Sequence, residues 1–100
     1  MQVLFVCSGN TCRSPLAEAA LRAALGPDAA RVQVSSAGIA TADGLPASIH
    51  SVAIAARDGV DLSSHRSNRA TAERVRAADL VLVMERVHLD AVREIGRAHV

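Results

Sequence analysis

Val3-Leu4-Phe5-Val6 is an unbroken apolar run, and it stops at a cysteine. A strand that is apolar at successive positions has to be covered on both faces, as in a parallel sheet. The polar stretch Cys7-Ser8-Gly9-Asn10-Thr11-Cys12-Arg13 follows, and Ser14-Pro15 then opens an amphipathic segment. Proline suits the first turn of a helix, where its missing N–H costs nothing. A strand, a tight polar turn and a helix are therefore written into the first 25 residues.

The helix from Ser14 carries two apolar rows, Leu16-Ala20-Ala24 and Ala17-Leu21-Leu25, with Glu18 and Arg22 as an outer i,i+4 pair. Gly26-Pro27 ends it. Arg31 to Ser36 alternates as a second strand, with Val32 and Val34 on one face. Ala37 to Leu45 reads as a loop. Pro46 opens a helix whose inner positions are Ile49, Val52, Ala53 and Ala56, and Asp58-Gly59 stops it. Val60 to Arg69 is a polar loop, and Thr71 caps a short helix to Ala78. Leu80-Val81-Leu82-Val83-Met84 is a third strand, and a last helix runs from about Arg86 to Glu94. The order β-α-β-α-α-β-α implies an α/β fold: an open parallel sheet with helices on both faces, right-handed crossovers and a phosphate-binding loop after the first strand. One domain over 1–100 is expected.

The formal net charge is +1, which is not the basic excess of a nucleic-acid binder. Phe5 is the only aromatic residue, so little ring surface is available for stacking. No signal peptide fits before a strand starting at Gln2 or Val3, and no apolar run is long enough for a bilayer. Two cysteines are too few for a disulfide framework, so a reducing, cytoplasmic setting is the expectation. A zinc site from Cys7, Cys12 and two histidines fits no usual spacing. His50 and His88 are placed on polar helix faces, at the surface.

In an open parallel sheet, ligands bind beyond the carboxyl ends of the strands. A helix N-terminus there offers free N–H groups and a positive dipole end. Gly9 allows a positive φ and Asn10 tolerates one, so the loop can turn successive N–H groups onto one phosphate. Cys7 enters the loop and Arg13 leaves it. The dipole and the guanidinium both favour the thiolate of Cys7, while Arg13 can grip two phosphate oxygens. The Ser14 hydroxyl is placed to hydrogen-bond the sulfur. Ser8, Gly9, Asn10, Thr11, Cys12 and Arg13 are the candidate anion-binding residues.

Cys7-Ser8-Gly9-Asn10-Thr11-Cys12-Arg13-Ser14-Pro15 resembles the signature of the low-molecular-weight protein tyrosine phosphatase family. The likeness continues through Leu16-Ala17-Glu18-Ala19, Ser35-Ser36-Ala37-Gly38, Asp61-Leu62-Ser63-Ser64-His65-Arg66 and Ala78 to Met84. It implies a sheet order 2-1-3 and a phosphatase with Cys7, Arg13 and Ser14 as catalytic residues. It also implies a supporting network of Asn10, Ser14, Ser36 and His65. Cys12 is either a packing residue or the partner that traps oxidised Cys7 as a reversible disulfide. No metal or organic cofactor is implied, and the partners would be a phosphorylated protein or a small phosphate ester, with no nucleic acid and no membrane.

The resemblance also implies a general-acid Asp on an Asp-Pro loop, a further strand and a further helix. This sequence holds no Asp-Pro, and Asp79 and Asp90 lie on unsuitable segments. A chain incomplete at its C-terminus is expected, with a sheet edge and an apolar face left open. The tail Ile95-Gly96-Arg97-Ala98-His99-Val100 is what a common sequencing-adapter stretch would encode, and is expected to be foreign to the gene. Phosphotyrosine is the family's default substrate. Phosphoarginine competes, because Thr11 stands where the family's arginine phosphatases carry Thr, and Ala40, Thr41 and Ala42 replace an aromatic wall. Arsenate reduction on the same fold needs a three-cysteine relay, which Cys7 and Cys12 cannot supply. A non-catalytic phosphate-binding fragment is the remaining alternative.

Overall fold

A computed structural model describes residues 1–97. Strand β1 (Gln2–Cys7) leads through the polar loop into α1 (Arg13–Leu25), a 3-10 turn (Gly26–Ala30) and β2 (Gln33–Gly38). Helices α2 (Ile49–Arg57) and α3 (Ala72–Ala77), strand β3 (Leu80–Val83) and helix α4 (Arg86–Arg97) complete it. The sheet order is β2-β1-β3, as the resemblance implied, and all strands are parallel, as the alternation of strands and helices implied.

β1 is the centre of the sheet, and its side chains alternate between two cores. Leu4 and Val6 join Ala37, Ala70 and Val92, with Val75 of α3 and Ile95 of α4 packed against them. Val3 and Phe5 join Val34, with Ala17, Leu21 and Leu25 of α1 over them. One face of the sheet thus carries α1 and the other carries α3 and α4. Each fully buried aliphatic side chain contributes roughly 1.5–3 kcal/mol, so β1 anchors the fold that presents its own C-terminal end. A third cluster joins Ala19, Ala55 and Leu62 and ties α2 to α1. β3 pairs with β1 alone, and its Leu80 and Leu82 remain 42% and 38% exposed.

Several element bounds and faces differ from the expectation. α1 starts at Arg13, one residue earlier, and Ala19 is its buried alanine while Ala20 and Ala24 are exposed. β2 runs on through Ala37 and Gly38, which were read as loop, because Ala37 fits fully buried opposite Val6. α2 is capped by Ser48, whose Oγ accepts from Ser51 N at 3.2 Å, so Pro46 lies outside it. Its inner face is Ser51, Val52 and Ala55, while Ile49, Ala53 and Ala56 face solvent, Ile49 at 85% exposure. Polar Ser48 and Ser51 hid this face, since both satisfy their hydroxyls inside it. Thr71 caps α3 as expected, with Oγ1 accepting from Arg74 N. Of the tail at 95–100, Ile95 to Arg97 belong to α4, and the rest lies outside the described residues.

Candidate active site

Cys7 is the last residue of β1, 2% exposed, at the floor of the loop that joins β1 to α1. The loop turns at Asn10, whose φ is +53°. Gly9 does not take the positive φ; asparagine does, and the structure over-determines it there. Asn10 N donates to Cys7 Sγ at 3.3 Å, and Asn10 Nδ2 donates to Ser14 Oγ at 2.8 Å. The Asn10 side-chain oxygen accepts from Asn68 N at 2.7 Å, and the Asn10 carbonyl accepts from His65 Nε2 at 2.8 Å. Four contacts thus hold one fully buried residue in a conformation it would otherwise visit rarely.

Ser14 Oγ lies 3.0 Å from Cys7 Sγ. Its oxygen accepts from the Asn10 amide group, which can only donate, and this leaves the serine proton free to be given to the sulfur. Cys7 Sγ thus receives a hydrogen bond from Asn10 N–H and has the Ser14 hydroxyl as a second partner.

The loop's carbonyls are bonded to the surrounding fold. Cys7 O accepts from Ile39 N, Ser8 O from Ala40 N, and Thr11 O from Ser48 N, at 3.0, 2.9 and 2.7 Å. Cys12 O accepts from Ser51 Oγ and from Leu16 N. The amides of Gly9, Thr11 and Cys12 make no bond among the described residues, so the loop offers N–H donors and hides its acceptors. That is the pattern of an anion cradle. Gly38 permits the close approach of β2, since a Cβ there would sit 2.7 Å from Ser8 O and 3.0 Å from Asn10 N.

Arg13 begins α1 with its side chain 46% exposed, and its Nη1 lies 3.5 Å from Glu85 Oε2. Ser8 Oγ is 3.0 Å from His88 Nε2. Cys12 is exposed, and both cysteines are free thiols. Ser14 is inside the first turn and does not cap the helix. Ser36 is one step away from the loop: its Oγ donates to Glu18, and its carbonyl accepts from the Asn68 side chain at 3.4 Å. His50 is exposed as expected, but His88 is fully buried, which overturns its placement at the surface. Both of its ring nitrogens find partners, so the fold can bury it. Asp79 accepts from Gln2 N at the start of β1, away from the loop, and Asp90 pairs with Arg86. Among the described residues no group of three or more His, Cys, Asp or Glu side chains is placed to hold a metal ion.

Sequence reasoning missed Asn68, Glu85 and His88. Asn68 has no local signal, since its contact with Asn10 spans 58 residues. His88 had one: with Val92 and Ile95 it forms an i, i+4, i+7 row, and that row is the inner face of α4.

The model of the family described as low molecular weight phosphotyrosine protein phosphatase matches residues 2–100. A probable low molecular weight protein-tyrosine-phosphatase, EpsP of Ralstonia solanacearum, is 48% identical over 82 residues, covering 82% of this chain and 54% of its own length. The protein-arginine-phosphatase of Bacillus subtilis is 39% identical over 97% of this chain and 65% of its own length. Among solved structures, the arginine phosphatase YwlE superposes with a TM-score of 0.89 at 36% identity, over 97% of this chain and 64% of the other. The tyrosine phosphatase AmsI of Erwinia amylovora superposes with a TM-score of 0.87 at 38% identity, over 97% and 62%. The chain thus spans between about half and two thirds of the length of these relatives. With the signature loop built as described and the match extending over residues 2–100, the chain belongs to the low molecular weight phosphotyrosine protein phosphatase family.

Proposed function

We propose that the chain carries the nucleophile and phosphate site of a protein phosphatase that works through a cysteinyl-phosphate. The observation that carries this is the sulfur of Cys7, 3.0 Å from Ser14 Oγ and given a hydrogen bond by Asn10 N–H, at the floor of a loop whose Gly9, Thr11 and Cys12 amides have no partner among the described residues. Cys7 attacks phosphorus and the S–P bond forms as the bond to the leaving oxygen or nitrogen breaks, that atom keeping the bonding pair and taking a proton from solvent; water then hydrolyses the S–P bond, releasing phosphate and the cysteine sulfur. Arg13 clamps two phosphoryl oxygens, and Ser14 donates to the sulfur when it leaves. Ser8, Gly9, Asn10, Thr11 and Cys12 line the cradle, while Asn10, Ser14, His65 and, through Asn68, Ser36 hold its shape.

The substrate class is a protein phosphorylated on tyrosine or arginine. Relatives named for both activities match the chain at similar identity. Thr11, and the absence of any aromatic side chain in the Ala40-Thr41-Ala42 segment beside Ser8, favour phosphoarginine. Comparing hydrolysis of a phosphoarginine protein with that of a phosphotyrosine peptide tests this reading, and equal loss of both in Arg13→Lys tests the shared site. No helix of the described residues is long and apolar enough to cross a membrane.

A further inference from the structure

His88 heads the fully buried side chains in size, and the chemistry above makes no use of it. It lies in the first turn of α4, and its two ring nitrogens meet different partners. The Glu85 N–H donates to Nδ1 at 3.2 Å. A backbone amide can only donate, so Nδ1 is bare and the neutral ring carries its proton on Nε2. Nε2 lies 3.0 Å from Ser8 Oγ, so the ring donates and the serine oxygen accepts. The Ser8 hydroxyl proton is then left for another acceptor. Ser8 is the residue directly after the nucleophile, and its carbonyl is fixed by Ala40 N at 2.9 Å. One carboxylate oxygen of Glu85 lies 3.7 Å from His88 Nε2 and 3.5 Å from Arg13 Nη1. The turn that opens α4 therefore holds both ends of the loop, Ser8 and Arg13.

We propose that His88 is a positioning residue for the phosphate site. By claiming the Ser8 oxygen as acceptor, it turns the Ser8 O–H towards the bound phosphoryl group and adds one side-chain donor to the amides of the loop. Core filling alone would not need this: an apolar side chain of similar size avoids burying two polar ring atoms. The inference rests on the reading of the loop as a phosphate site.

The test uses inorganic phosphate as probe, with dissociation constants measured by calorimetry. Ser8→Ala and His88→Asn are each expected to weaken binding about tenfold, as for one lost hydrogen bond to a charged group. The double variant is expected to bind no more weakly than Ser8→Ala, because both remove one contact. His88→Gln, whose amide can reach Ser8, is expected to stay within about twofold of the parent. Nitrogen-15 spectra of the imidazole are expected to show a protonated Nε2 and a bare Nδ1, with the Nε2 signal moving as phosphate is added. Independent, additive effects of positions 8 and 88, or a protonated Nδ1, would overturn the proposal. Where His88→Asn fails to fold, Ser8→Ala and the imidazole spectra carry the test. Arg13→Ala separates the two readings. If the parent binds phosphate no better than Arg13→Ala, the phosphate site itself is refuted. If Arg13→Ala loses binding while Ser8→Ala keeps it, only the role of His88 is refuted.

Discussion

Asn10 Nδ2 donates to Ser14 Oγ at 2.8 Å, and that contact leaves the serine proton free for the sulfur beside it. With its oxygen accepting from Asn10, Ser14 keeps its hydrogen free to be given to Cys7 Sγ, 3.0 Å away. A buried residue with a positive φ thus orients the serine that faces the nucleophile. Replacing Ser14 with Ala is expected to lower turnover about 10- to 100-fold, the worth of a hydrogen bond to a charged sulfur, with a smaller effect on phosphate affinity. Steady-state rates and phosphate inhibition constants, measured on the same preparations, check the split between the two.

His65 reaches the same residue from the opposite side, through the Asn10 carbonyl. His65→Ala is expected to leave that carbonyl without its partner and to cost about 1–3 kcal/mol of stability. The midpoint of denaturant unfolding reads the loss, and an unchanged midpoint would show that Asn10 is held by its other contacts alone.

Gly38 is required by proximity and not by backbone angle. Any Cβ at this position meets Ser8 O at 2.7 Å and Thr41 Cγ2 at 2.8 Å, and the first is main chain that cannot step aside cheaply. Gly38→Ala is expected to destabilise the protein by roughly 1–3 kcal/mol, as overpacking does. It is also expected to weaken phosphate binding by displacing the loop. Thermal unfolding and phosphate titration check both effects.

The segment from Cys7 to Pro15 was legible because its residues are contiguous: a strand end, a turn and a helix start are read from neighbouring positions. The parallel sheet followed from the alternation of strands and helices, the order 2-1-3 came from the family resemblance, and the apolar run Val3 to Val6 marked a strand buried on both faces. Contacts between distant segments were not legible. Asn68 reads as one more polar loop residue until the fold brings its N–H to Asn10. His88 was assigned outward and Ser51 was left out of the inner face of α2 because polarity was weighed above spacing, yet both are fully buried with their polar atoms paired. The same preference displaced the inner face of α2 onto exposed Ile49.

Thr11 is partly buried in the loop, and its carbonyl is held by Ser48 N at 2.7 Å, so its side chain can be changed with the backbone tethered. Thr11→Ile is expected to raise the ratio of phosphotyrosine to phosphoarginine hydrolysis about tenfold, the scale on which pockets discriminate single groups. Competition assays with both substrates measure that ratio. An unchanged ratio would remove Thr11 as the selector.

The central claim is that Cys7 is the nucleophile in a cradle that binds phosphate independently of the sulfur. Cys7→Ser, assayed for hydrolysis of an aryl phosphate and for binding of inorganic phosphate in the same sample, tests it most directly. The expected result is turnover lost while phosphate binding stays measurable, because the loop amides and Arg13 remain. Hydrolysis by Cys7→Ser at the rate of the unmodified protein would contradict the account.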